Sequence, residues 1–290
     1  MNGEKRTRTR LTRRHRQELY GWAYILPGMV VLTVFCILPI FMTLYYSFTD
    51  YNLAQAPEFI AFSNYVKVFT NTQLRKALVN TVIYVIITVP LQTIVSLLAA
   101  SFLANFLNNR YGKFLRGVIF IPILVSYVAA AAVWRIIYNS KGGILNQIIG
   151  VFGLDSVNWL GDAGTALICV AVVAVWKSAG YFMVIFYAGI MNISVEVKEA
   201  AIIDGATPRQ RFWYITVPIL KPITYMVVTL GVIWSFQAFD LVYKLTGGGP
   251  GFATTTIAYV IYSYAFQDRR IGYACAIAIL LLLVILAIHL

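Results

Sequence analysis

The sequence predicts an all-α integral membrane protein with six membrane crossings. Three observations lead there. The 290 residues are 60% hydrophobic and 12% charged, and the mean hydropathy is +0.76. A soluble domain carries roughly 45–50% apolar and about 25% charged residues. Six segments reach the ~20 mostly apolar residues that a helix needs to cross a bilayer: 22–48, 80–107, 117–138, 165–191, 223–243 and 271–290. The basic residues between them are denser on one side than on the other, as the orientation of a multi-pass chain requires.

The first segment follows a basic tail, 1–21, with Lys5, Arg6, Arg8, Arg10, Arg13, Arg14 and Arg16. Such a tail sets topology and also suits anionic lipid. The net charge of +12 could suggest nucleic acid, but no aromatic-studded basic domain accompanies it, so nucleic acid is not expected as a partner. The apolar run after Tyr20 is too long for a signal-peptide core and lacks a small-residue cleavage site, so it is expected to stay as a helix. Pro27 and Pro39 are expected to kink it. With the tail inside, the segments 1–21, 108–116 and 192–222 hold 14 basic residues and the outer segments seven. Both termini are therefore expected in the cytoplasm. The sixth helix is expected to run to the last residue. The outer loops 49–79 and 139–164 carry amphipathic pieces, Phe62 to Val66 and Asn158 to Gly161, whose rings are expected at headgroup level.

Catalytic chemistry finds little to work with. Cys36, Cys169 and Cys275 fall inside apolar segments, without disulfide or metal-ligand spacing. His15 and His289 have no partners for a metal or catalytic site. No G-x-x-x-x-G-K-[ST] motif is present, so the chain has no P-loop for ATP.

The organising stretch is 199–222, EAAIIDGATPRQRFWYITVPILKP, within the cytoplasmic loop 192–222. Glu199 to Asp204 is expected to form one short helix. Gly205 can take the positive φ that ends it. Thr207 is the expected N-cap of a second helix, with Pro208 at N1. Arg209, Arg211 and Lys221 make the stretch basic.

The pattern Glu199-Ala200-Ala201, Asp204-Gly205-Ala206, Ile215 and Val217-Pro218 resembles the EAA motif of membrane subunits of binding-protein-dependent ABC importers. Val217 departs mildly, where the family usually has Leu. The resemblance implies the type I ABC importer fold and makes this loop the coupling helix that docks into the ATP-binding subunit. Glu199 is then the charge partner of a basic residue of the ATPase; its alternative is a helix-dipole contact in a first turn, for about 0.3–1 kcal/mol. Ala200 and Ala201 allow close approach, and Phe212 and Trp213 fill apolar space at the base. The likeness extends to the sugar-permease branch, the maltose-transporter type, from about Asn64 to Ala276. Asn64-Tyr65, Asn80-Thr81 and the run Thr246-Gly247-Gly248-Gly249-Pro250 carry it. The partners it implies are a second permease subunit, two copies of a cytoplasmic ATP-binding subunit that binds ATP and magnesium, and an extracytoplasmic solute-binding protein. No cofactor is expected in this chain.

Ionisable groups inside spans default to functional hypotheses. Lys177 lies midway along the fourth segment and Asp240 toward the outer end of the fifth; Arg135 can snorkel as an anchor. Lys177 could line a watery path, pair with Asp240, or pack against backbone carbonyls. The stretches 176–181 and 234–240 mix rings with hydroxyl, amide and charge, which is how sugars are held. The resemblance places the substrate site there, at Trp176, Lys177, Ser178, Tyr181, Gly231, Trp234, Ser235 and Ala238, with Gln237 and Asp240 behind. Ala238 stands where the maltose-type subunit has an amide. The expected function is import of an oligosaccharide. The alternatives are an ABC importer for glycerol phosphate or another polar solute, and an ion-coupled secondary transporter. The latter calls for an inverted repeat and more intramembrane carboxylates than Asp240.

Overall fold

A computed structural model describes residues 13–106 and 109–289. The start of the basic tail, including Lys5, Arg6, Arg8 and Arg10, and the last residue, Leu290, lie outside the described residues. Among the described residues the regular structure is helical apart from one small hairpin, in which β1 (Thr49–Asp50) pairs antiparallel with β2 (Glu58–Phe59).

Helix α1 (13–47) contains a π-helical turn, Thr33–Ile37, and crosses as a single span from Tyr20 to Ser47. The expected kinks do not break it. A proline ring clashes with the carbonyl four residues back; the extra residue of the π turn, where the Leu38 N–H reaches the Thr33 carbonyl, relieves that crowding ahead of Pro39. None of its most apolar window is buried within the chain, although its C-terminal end packs on the last helix.

Helix α2 (Ser63–Thr70) leads into α3 (Thr72–Phe106), which begins eight residues before the predicted second span. The reason is burial: Leu74 and Ala77 in the extra turns join an outer cluster with Ile257, Val260 and Tyr273. The predicted third span is two helices, α4 (Arg110–Leu124) and α5 (Tyr127–Ile137), bent by 101°. Ser126 stops the first from continuing, because its extended backbone and its hydroxyl, which accepts from the Ala129 N–H at 3.2 Å, make it an N-cap. After α6 (Ile144–Val151), α7 (Ala166–Met191) follows the predicted fourth span closely.

Next come α8 (Val195–Ile203) and α9 (Pro208–Ile219), which is bent by 68° from α10 (Lys221–Phe236). The predicted fifth span ends early, at Phe236. Residues 237–239 break the chain, and α11 (Asp240–Leu245) starts a new helix. Asp240 therefore lies in the first turn of α11 rather than at the end of a span. Helices α12 (257–267) and α13 (Ile271–His289) complete the fold.

The long helices α3 and α7 form the central pair, with α4 against α7 and α10 against α3. In lipid, apolar transfer does not drive helices together; close packing and interhelical hydrogen bonds do. The interface fits that physics. Small residues Ala100, Ala179 and Ser96 are buried, and the Ser96 hydroxyl donates to the Ala179 carbonyl at 2.9 Å. Phe182, Met183, Phe186 and Val227 are fully enclosed in a cluster with Ala100 and Leu103.

The loop residues singled out in the sequence are the ones that fasten the connecting loops to the helices. The Asn64 amide donates to the Ser47 and Thr49 carbonyls, and the Tyr65 hydroxyl meets Ser47 Oγ at 2.7 Å. The Asn80 amide donates to the Phe252 and Thr255 carbonyls, while Thr81 Oγ1 accepts from the Ile257 N–H. Gly247 and Gly248 take positive φ in the turn before Pro250, and Thr254 and Thr255 donate to the Gly249 and Gly248 carbonyls. Phe62 is 67% exposed and packs edge-on to Phe48 at 5.4 Å. Trp159 instead turns inward, packs near Tyr138 and donates to Asn146 at 2.9 Å.

Candidate functional site

The loop 192–222 builds from its caps. Ser194 caps α8, so the helix starts four residues before Glu199. The first-turn acid is Glu196, and the helix-dipole role considered for Glu199 belongs there. Glu199 and Ala200 are exposed and Ala201 is buried, so α8 lies on the body of the protein through Ala201 and offers Glu199 outward. Asp204 is exposed and Gly205 has φ +74°. Thr207 and Gln210 form a reciprocal capping box ahead of Pro208. At the base, Phe212 faces a cleft of about 560 Å³ shared with Ser101, Asn105, Lys198 and Arg211. Trp213 does not fill apolar space; it is 56% exposed, because only one face of α9 meets the body.

A second cleft, of about 360 Å³, opens where α3, the α4–α5 break, α7 and the 237–239 break converge. It brings together Lys177, Ser178, Trp234, Ser235, Gln237, Ala238 and Asp240 from the sequence-derived set. It does not include the other three. Trp176 packs edge-on to Trp134 at 5.6 Å. Tyr181 lies against Trp234 at 5.2 Å, supporting that ring from behind. Gly231 sits under Gln92, where an added Cβ would fall 2.0 Å from Gln92 Nε2.

Sequence reasoning missed the wall supplied by α3: Tyr84, Thr88 and Gln92. Gln92 is the informative one. It is 2% exposed, its Oε1 accepts from Ser178 Oγ at 2.8 Å, and its Nε2 has no hydrogen-bond partner. Burying an unmade amide donor costs about 1–3 kcal/mol. The available signal was an amide in mid-span of an otherwise apolar helix.

Lys177 lines the cleft and has the carbonyl partners of its third reading. It is 4% exposed, and Nζ donates to the carbonyls of Pro122 at 3.3 Å, Ile123 at 3.1 Å and Val125. It also lies 4.5 Å from the Tyr127 ring centroid. Asp240 shares the cleft but is not among its hydrogen-bond partners. The three carbonyls lie where α4 ends, at the negative end of its dipole, and that of Pro122 also accepts from the Val125 N–H at 3.3 Å. Lys177 thus caps a broken helix inside the bundle.

With this geometry in view, residues 69–290 match the family described as "binding-protein-dependent transport system inner membrane component". The chain belongs to that family. It is 35% identical to the probable ABC transporter permease protein YurN of Bacillus subtilis, over 95% of each chain. It is 34% identical to the trehalose/maltose transport system permease protein MalF of Thermococcus litoralis, over 94% of this chain and 92% of that one. Its fold is that of a chain in a bacterial ABC transporter involved in alginate import, with TM-score 0.82, 22% identity, and 94% and 93% coverage. This is the type I importer fold of a multi-pass inner-membrane permease, and in such importers the ATPase is a separate subunit.

Proposed function

We propose that this chain is one of two different permease subunits of an ABC importer for a carbohydrate of oligosaccharide size, in a bacterial or archaeal cell membrane. One observation carries the substrate class: the 360 Å³ cleft sets the Trp234 ring beside the hydroxyls of Ser178 and Ser235 and the amides of Gln92 and Gln237. Rings stack on the apolar faces of sugars while hydroxyls and amides match sugar hydroxyls. The trehalose and maltose of the Thermococcus relative's name point the same way. Lys177 favours a sugar over glycerol phosphate, because its ammonium is already taken by three carbonyls.

The partners are a second permease, two ATP-binding subunits that hold ATP and magnesium, an extracytoplasmic binding protein and the surrounding lipid; nucleic acid has no role. The chain divides into a basic cytoplasmic tail, 1–21, and a permease domain, 22–290, with both termini in the cytoplasm. Glu199, Ala200, Ala201, Asp204, Gly205 and Phe212 make the coupling element. Exposed Glu199 meets a basic residue of the ATPase, and the capped α8–α9 pair moves as one lever. Closure of the ATPases rocks the helices between inward-facing and outward-facing states. The lever works because docking with ATP favours a different state than docking without it.

The test is ATP-driven uptake into vesicles carrying the co-expressed complex, with Glu199 intact or changed to Ala. Uptake that needs ATP and collapses in Glu199→Ala, while the complex still assembles, is the expected result. Uptake by this chain alone, driven by an ion gradient and unaffected by that change, would overturn the reading.

A further inference from the structure

Beside the cleft runs a line of rings that the site above does not use. Phe266 on α12 is 71% exposed. Its centroid is 5.3 Å from Tyr262, with the rings tilted 35°. Tyr262 is 4.7 Å from Phe239, tilted 40°. Phe239 lies in the 237–239 break and lines the cleft. Tyr243, one turn into α11, stacks on Phe239 at 5.3 Å and meets Tyr262 edge-on at 5.2 Å. We propose that Phe266, Tyr262 and Phe239, flanked by Tyr243, form a stacking track along which the sugar rings of the substrate pass from the outer face into the cleft. This rests on the carbohydrate reading above.

The rings of this region fall into two kinds. Tyr264 and Tyr273 are 9% and 4% exposed, and both hydroxyls accept from the Asn71 amide; they pack the fold. Tyr262 and Phe266 belong to the same helix as Tyr264 but form a separate row that ends in the open at one end and in a cavity at the other. A packing cluster has no need of that continuity. The wall is also held still: Thr256 donates to the Ala238 carbonyl at 2.7 Å, next to Phe239, and caps α12 through the Tyr259 N–H. A pyranose stacks its C–H face on an aromatic ring, and each such contact is weak. Rings at nearly equal steps offer the substrate successive sites of similar strength. Passage needs that arrangement: binding strong enough to enter and weak enough to leave.

The test uses the complete importer in proteoliposomes, with an oligosaccharide series of one to five units of a sugar that the unaltered complex takes up from a carbohydrate panel. Absence of uptake across the panel overturns the carbohydrate reading, and the track with it. Where uptake is present, Phe266→Leu and Tyr262→Leu keep an apolar side chain and remove the stacking face. The expected result is an uptake KM that rises with chain length, about two- to tenfold for the longer members and little for the single unit. Phe266→Tyr should restore it. A loss equal at every chain length would assign the rings to packing or to docking of the binding protein. An unchanged KM throughout would remove their role in transport. Thermal inactivation of the complex should not move in Phe266→Leu, since that side chain is exposed.

Discussion

Replacing Gly231 by Ala tests how the cleft is held together. The new Cβ would stand 2.0 Å from Gln92 Nε2 and 3.5 Å from Val89 Cγ1. The second contact is ordinary; the first cannot persist. Gln92 is buried against its neighbours and lines the cleft, so its amide must turn toward the cleft, away from the position in which Oε1 accepts from Ser178. The loss combines overpacking, about 1–3 kcal/mol, with an interhelical hydrogen bond that in membranes averages roughly 0.6 kcal/mol. Gly231→Ala should therefore destabilise the assembled complex by about 2–3 kcal/mol. The readout is the half-life of the purified complex at a fixed raised temperature, because such assemblies unfold irreversibly. The decisive comparison adds Gln92→Ala. In that background the added methyl has room, so the second change should cost much less than it does alone, a coupling of about 1–2 kcal/mol. A Gly231→Ala complex as long-lived as the unaltered one would refute the reasoning. So would strictly additive losses in the double variant.

Two further predictions concern capping and fastening. Lys177→Met should shorten the lifetime of the complex, because the carbonyls of Ile123 and Val125 lose the ammonium that they accept from, for about 1–3 kcal/mol; a substrate panel should meanwhile keep its rank order, and a changed preference between neutral and anionic solutes would contradict the capping role. Asn80→Ala removes two bonds to the segment after the glycine turn, so limited proteolysis should cut within 246–256 several-fold faster, and unchanged protection there would show that the threonine bonds suffice.

Much of this architecture was legible because it rests on local chemistry. Apolar runs of bilayer length located the crossings. Gly205, Thr207 and Pro208 mark the turn and cap of the loop in the sequence itself, since positive φ and N-cap preferences act within a few residues. The misreadings share one origin. The third and fifth segments were read as continuous, yet Ser126 ends one and residues 237–239 end the other. Hydropathy measures what a segment can tolerate in lipid, and a broken helix tolerates the same residues when its freed backbone groups meet partners elsewhere. Asp240 was misplaced for that reason, and α3 was read too short because Leu74 and Ala77 gain their burial from residues almost two hundred positions away.

By itself, then, the sequence determined that this chain is a multi-pass membrane protein and where the turn and cap of the 192–222 loop lie, because each of these depends on composition or on neighbours within a turn or two. The tertiary structure alone decided what Lys177 and Gln92 touch. A buried lysine in an apolar helix is equally compatible with a watery path, an ion pair or a ring of carbonyls. The carbonyls came when the fold brought the C-terminal end of α4, 52 to 55 residues away in sequence, to within 3.3 Å of its ammonium. Gln92 likewise acquired its meaning from Ser178 and Gly231, on two other helices. Polar groups in lipid must find partners, and the partners are set by which helices touch.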